Sequence, residues 1–159
     1  MSSSGFVLKE QGDWGFADIL YDLKLASQRA GLEPRIKPKV HSFYGDIFME
    51  GNLANTYEDR SEAQQWVMSL YDNDKDLHRF EHVKKNGNLV RIIVIERISE
   101  CEKILLDFLF EYFKLNPKDY FWVEGYKWHY TYKDIKKIKQ SDFNPDWCYK
   151  DPHVNISHT

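Results

Sequence analysis

Residues Leu89 to Glu124 read LVRIIVIERISECEKILLDFLFEYFKLNPKDYFWVE, and this stretch decides the fold class. Val90, Ile92, Val94 and Ile98 fall on one face of an extended chain, and Leu89, Ile93 and Ile95 on the other. Apolar residues on both faces predict an interior strand covered on both sides, and β-branched side chains suit a pleated surface. Ser99 followed three residues later by Glu102 reads as a capping box, in which each side chain satisfies a free backbone N–H. Beyond it, Cys101, Ile104, Leu105, Phe108, Leu109, Tyr112 and Phe113 recur at the spacing of one buried helical stripe. Lys103, Asp107, Glu111 and Lys114 mark the expected wet face, while Leu106 and Phe110 widen the apolar one. Asn116-Pro117 ends the helix, because Pro disfavours helical geometry in the residue before it. Tyr120 to Glu124 then predicts another strand.

Working outward, Lys85-Asn86-Gly87-Asn88 separates His78–Lys84 from the central strand, and Asn-Gly between two such runs predicts a hairpin. On the other side, Gly125 allows a turn into Lys127–Tyr132, and Thr131 or Asp134 can open a last helix through Ile135 and Ile138. Earlier in the chain, Phe6-Val7-Leu8 reads as a short strand. Asp13 can cap a helix from Trp14 to Ala30 with Phe16, Leu20, Leu23 and Ala26 inward and Gly31 as its left-handed stop. Pro34 and Pro38 keep Glu33–Lys39 extended and away from the middle of a sheet. Val40–Glu50 predicts a strand or tight hairpin about Gly45-Asp46, and Gly51–Tyr57 a loop. Ser61 and Gln64 predict a capped short helix burying Ala63, Trp66, Val67, Leu70 and Tyr71.

These elements predict an α+β fold: a mostly antiparallel sheet of about five or six strands with three or four helices packed mainly on one face. Its 159 residues are most simply one domain over 1–140, with a polar C-terminal tail over 141–159 that Trp147 and Tyr149 can pin. Aromatic residues make up 16% of the chain, so the expected core is built from rings. A net charge of −3 carries no overall footprint for nucleic acid or an anionic membrane. The two cysteines, Cys101 and Cys148, do not form a disulfide framework, and with no apolar leader or spanning run a cytoplasmic location is expected.

Three constellations invite chemistry. His78, Glu81 and His82 form H-x-x-E-H, which binds Zn²⁺ only when a helix puts both imidazoles on one face. The hairpin signal predicts a strand there, which separates the two rings by about 13 Å. Asp72, Asp74 and Asp76 match alternate positions of a calcium loop, but Leu77 and Val83 stand where Gly and a bidentate Glu are needed. Tyr126, Trp128, Tyr130 and Tyr132 share one face of the last strand, opposite Lys127, His129, Thr131 and Lys133. Exposed, such rings can stack on bases or sugars. The expected placement is inward, against Phe108 and Phe113. No metal or cofactor is expected from these patterns.

The functional expectation is a non-catalytic protein-binding protein, of the immunity or inhibitor kind that neutralises a toxin or effector domain. Tyr and Trp are enriched at interface hot spots, and acidic residues steer a basic partner. The expected contact residues are Glu58, Asp59, Asp72, Asp74, Asp76, Tyr126, Trp128 and Tyr130. Two alternatives stand beside it. One is an enzyme or small-ligand site assembled from His41, His78, His82 and His129 with Glu81, Glu96 or Glu124. The other is a homo-oligomer joined through the over-wide helical face.

Overall fold

The structure, a computed structural model, describes residues 4–10, 12, 14–40, 47–55, 65–70, 79–80, 89–96, 98–99 and 101–153. At Phe16 and over 33–40, 47–55, 65–70 and 79–80 the description is of backbone alone. In chain order the elements are β1 (Gly5–Glu10), α1 (Phe16–Arg29), β2 (Leu32–Val40), β3 (Ile47–Asn55), β4 (Gln65–Leu70) and β5 (Arg79–Phe80). There follow β6 (Leu89–Ile95), α2 (Glu102–Leu115), β7 (Tyr120–Val123), β8 (His129–Tyr130), α3 (Tyr132–Gln140) and a single 3₁₀ turn at Trp147–Tyr149.

The strands form one antiparallel sheet in the order β2-β3-β4-β6-β1-β7-β8, with β5 paired to β6 beside this path. The expected α+β class and antiparallel pairing are present. Among the described residues the strand count is not the expected five or six: eight strands pair, of which four (β1, β6, β7 and β8) have described side chains. Three α-helices occur among the described residues. β6 and β7 both run antiparallel to β1, so they are parallel to each other, and α2 is the crossover that a parallel pair requires. The inserted β1 makes this a split β-α-β unit.

Alternation along the strands sorts the core into two faces. Val7, Phe121, Val123 and Tyr130 belong to one cluster with Ile19, Leu23 and Ala26 of α1, Ile104, Phe108 and Phe113 of α2, and Ile135 of α3. Phe6 and Leu8 cluster on the other face with Val94, Tyr120 and Trp122. The helices therefore cover one side of the central strands. β1 lies beside β7 in the sheet, and a Cβ added at Gly5 would stand 2.6 Å from the Phe121 ring, so a larger residue there must displace that buried ring.

The helix stripe of α2 is buried as expected from Ile104 to Phe113, with Cys101 buried just ahead of it. Two details differ. Helix α2 begins at Glu102 with Cys101 as its N-cap, so the Ser99–Glu102 capping box does not form; Tyr149 Oη instead donates to Glu102 Oε2 at 3.1 Å. Asp107, expected in water, is buried because α3 packs across α2, and it is ion-paired with Lys103 at 3.2 Å and with Lys139. Helix α1 starts at Phe16, where Gly15 N donates to Asp18 Oδ2 at 2.7 Å, and it stops at Gly31 with φ of 79°. The cap expected from Asp13 lies outside the described residues.

The largest correction concerns β3 and β4. The predicted helix behind Ser61 is a strand, Gln65–Leu70, paired with β3 on one side and β6 on the other. Trp66, Met68 and Leu70 also fit a period of two, and pairing with two neighbours decides between the periods. The predicted loop from Gly51 is instead the second half of β3, with Gly51 opposite both Ile36 and Met68. The hairpin arms are thus β2 and β3, longer than the Val40–Glu50 unit expected, and the residues between Val40 and Ile47 lie outside the described ones. β2 is a sheet edge, as Pro34 and Pro38 require. β5 pairs antiparallel with β6, with Arg79 opposite Val90 and Phe80 opposite Leu89, and the turn expected at Asn86-Gly87 lies outside the described residues.

Candidate functional site

Gly125, at φ of 93°, makes the tight connection between β7 and β8, which brings His129 and Tyr130 back beside β7; the strand expected over Lys127–Tyr132 is only these two residues, and Tyr132 already opens α3. Tyr130 pairs with Phe121 and points into the helix-covered core, where it is fully buried. Its ring lies 6.1 Å from that of Phe121 and 5.5 Å, edge-on, from that of Trp147. Its hydroxyl donates to the Lys150 carbonyl at 2.6 Å and accepts from Trp128 Nε1 at 3.0 Å. Burial pushes the Tyr130 phenol well above its usual range, so it remains a neutral donor. Tyr130 therefore positions its neighbours and is not itself presented.

Tyr126 and Trp128 are presented. Both are half-buried, with ring centroids 4.9 Å apart, and Tyr149 packs 6.1 Å from Tyr126. The backbone that carries them is tied to β7 by Trp122 Nε1, which donates to the Tyr126 carbonyl at 2.7 Å. Trp147 anchors the returning C-terminal segment: its side chain is buried and Nε1 donates to the Glu102 carbonyl at 2.8 Å. Three rings from two chain segments thus form a fixed, half-open ledge at one end of the sheet.

His129 takes the opposite face of β8, 5.1 Å from the Tyr120 ring and 6.1 Å from that of His153. Burial, and then the neighbouring His153, lower its pKa, which favours the uncharged imidazole. His153 reaches Asp134 Oδ2 at 3.2 Å and Asp151 Oδ1 at 3.4 Å. Asp134 is already occupied as the reciprocal partner of the N-cap Thr131. Among the described residues no group of three or more His, Cys, Asp or Glu is placed to hold a metal ion. Both thiols are buried, and burial pushes Cys148 up to about 12, where thiolate is scarce at neutral pH.

A second polar cluster lies between β1, α1, α2 and the start of β7. Lys9 Nζ bonds Asn116 Oδ1 at 2.9 Å and both oxygens of Asp119 at 3.2 Å. Tyr112 Oη donates to Asp119 Oδ2 at 2.7 Å, and Asn116 Nδ2 donates to Asp22 Oδ2 at 3.1 Å. Asp119 is 4% exposed; its burial outweighs Lys9 and Tyr112 and raises its pKa to about 6.

Of the residues singled out in the sequence, Tyr126, Trp128 and Tyr130 are brought together, with Tyr130 beneath the other two. Their ring neighbours include Phe121, Trp147 and Tyr149, and they belong to the same core cluster as Phe108 and Phe113. Glu96 and Glu124 are exposed. Glu58, Asp59, Asp72, Asp74, Asp76, His41, His78, Glu81 and His82 lie outside the described residues, although Arg79 and Phe80 form a strand where a zinc helix would run. The Asp119–Lys9 ion pair and the His153–Asp134 contact were not foreseen: they depend on partners distant in sequence.

No family model, no curated protein and no solved structure matches this chain. No helix among the described residues is long and apolar enough to cross a membrane.

Proposed function

We propose that this is a non-catalytic protein-binding protein of the cytoplasm, acting as an immunity or inhibitor protein does, by covering a toxin or effector domain. The observation that carries this reading is the ledge of Tyr126 and Trp128. Two half-buried rings are held in place by the Trp128–Tyr130 hydrogen bond and by their mutual packing. Large rings with few torsions lose little entropy on contact, which suits an interface anchor. The inert, buried thiols lend further support. In this reading Glu58, Asp59, Asp72, Asp74 and Asp76 supply charge that steers a basic partner.

The test is to recover partners from extract of the native host on the immobilised full chain, then measure Kd for each purified pair. Tyr126→Ser and Trp128→Ala are expected to weaken one such pair by about 2 kcal/mol, roughly thirtyfold. Thermal midpoints of the variants show that the fold is kept. Failure to retain any protein, or an unchanged Kd in both variants, would refute the proposal.

A further inference from the structure

The ledge of Tyr126, Trp128 and Tyr149 presents ring faces and few polar atoms. Trp128 spends its one side-chain N–H on the Tyr130 hydroxyl at 3.0 Å, and Tyr149 donates its hydroxyl proton to Glu102 Oε2 at 3.1 Å. Tyr126 neighbours both rings, 4.9 Å from Trp128 and 6.1 Å from Tyr149 between centroids. An aromatic face is the negative side of the ring quadrupole, so a surface made of faces attracts cations. Elsewhere the chain covers ring faces with its own cations: Arg91 Cζ lies 5.3 Å from the Phe6 centroid, and Lys114 Nζ 4.3 Å from that of Phe110. Among the described residues no Lys or Arg stands over Tyr126, Trp128 or Tyr149. The surrounding charge points the same way. The Glu102 carboxylate meets the ledge at the Tyr149 hydroxyl, Glu124 is exposed two residues before Tyr126, and the whole chain carries −3. Lys127 and Lys150, both exposed, oppose a cation, but their ammonium groups stand in water where salt screens them, whereas the ring faces act at contact.

We infer that the ledge seats an arginine side chain of the protein partner. The guanidinium is planar, weakly hydrated and always charged, so it stacks on an aromatic face at little desolvation cost. This deepens the interface reading and rests on it, naming the residue that the rings grip. A neutral apolar anchor fits less well, because it gains nothing from Glu102 and Glu124. An anionic group is repelled by both.

The test titrates the full chain with a short Gly-Ser peptide, blocked at both ends, that carries one central arginine. Its control carries citrulline, the neutral isostere, in the same place. Nuclear magnetic resonance reads the Trp128 indole N–H, and the Gly125 backbone N–H serves where Trp128 is replaced. The arginine peptide is expected to bind with a Kd on the order of millimolar, at least about fivefold tighter than the citrulline peptide. Trp128→Leu and Tyr126→Leu keep an apolar surface but remove a ring face, and each is expected to weaken the arginine peptide at least about fivefold. Lys127→Gln removes a like charge; it is expected to tighten the arginine peptide about twofold and to leave the citrulline peptide unchanged. Equal binding of the two peptides, binding of neither, an unchanged affinity in the folded Leu variants, or weaker binding in Lys127→Gln overturns the inference. Each of those results leaves the interface reading to its own pull-down, which fails only when no partner is retained or when the partner's Kd ignores the ledge.

Discussion

Replacing Asp119 with Asn will change how the stability of this protein depends on pH. Asp119 lies 4% exposed between Lys9 and Tyr112, and its folded pKa rises from 3.8 to about 6. Burial is the main cause, opposed by the Lys9 ammonium and the Tyr112 hydroxyl. A raised carboxyl pKa means that folding favours the protonated form. The corresponding stability is fully present below the unfolded pKa and is lost as pH rises through about 6. Two units at 1.36 kcal/mol each give about 3 kcal/mol between pH ~3 and pH ~8. Asn resembles the protonated acid at every pH and cannot titrate. The stability of Asp119→Asn relative to wild type should therefore climb by about 3 kcal/mol over that range. For a chain of this size that is a differential rise in Tm of roughly 6–12 °C. Any fixed cost of seating an amide beside Lys9 shifts both ends equally, so the slope of the difference is the readout. Calorimetry at a series of pH values measures it. A Tm difference that stays flat across the acid range, or that falls as pH rises, would refute the reasoning.

Two further changes probe the frame. Gly5→Ala should lower stability by about 1–3 kcal/mol in urea titrations, because the added methyl meets the fully buried Phe121 ring at 2.6 Å. Thr131→Ala removes the side-chain acceptor for Asp134 N at the start of α3 and should cost about 1 kcal/mol, whereas Thr131→Ser should restore most of it.

Much of the frame was legible where one period dominates. The buried stripe of α2 is plain from Ile104, Leu105, Phe108 and Leu109, because nothing but a helix puts those positions together. The stop at Gly31, the turn at Gly125 and a helix start at Thr131, one of the two offered, are local chemistry, and all three are found. Reading failed where two periods fit the same residues. Trp66 and Leu70 share a face in a helix as well as in a strand, and only the ladders to β3 and β6 choose. Gly51 looked like a loop residue because a glycine weakens a strand, but neighbours on both sides hold it in one. At the candidate site, the alternation that turns Tyr130 inward was readable. The hydrogen bond to Lys150 and the stacking of Tyr149 were not, since both depend on the path of a segment with no period of its own. Asp107 looked solvated for a related reason: the pattern within one helix says nothing about a second helix laid across it.

The position of β1 sets the order in which the molecule can assemble. Its Gly5 lies beside Ile95 on one side and Val123 on the other. On the ribosome this strand emerges before either of its partners exists. Phe6, Val7 and Leu8 must then wait, apolar and unpaired, until most of the domain has been made. Contacts so far apart in sequence close slowly. Final closure of the sheet is thus a late, long-range event, and the waiting strand is the natural place for a chaperone or a neighbouring chain to intervene.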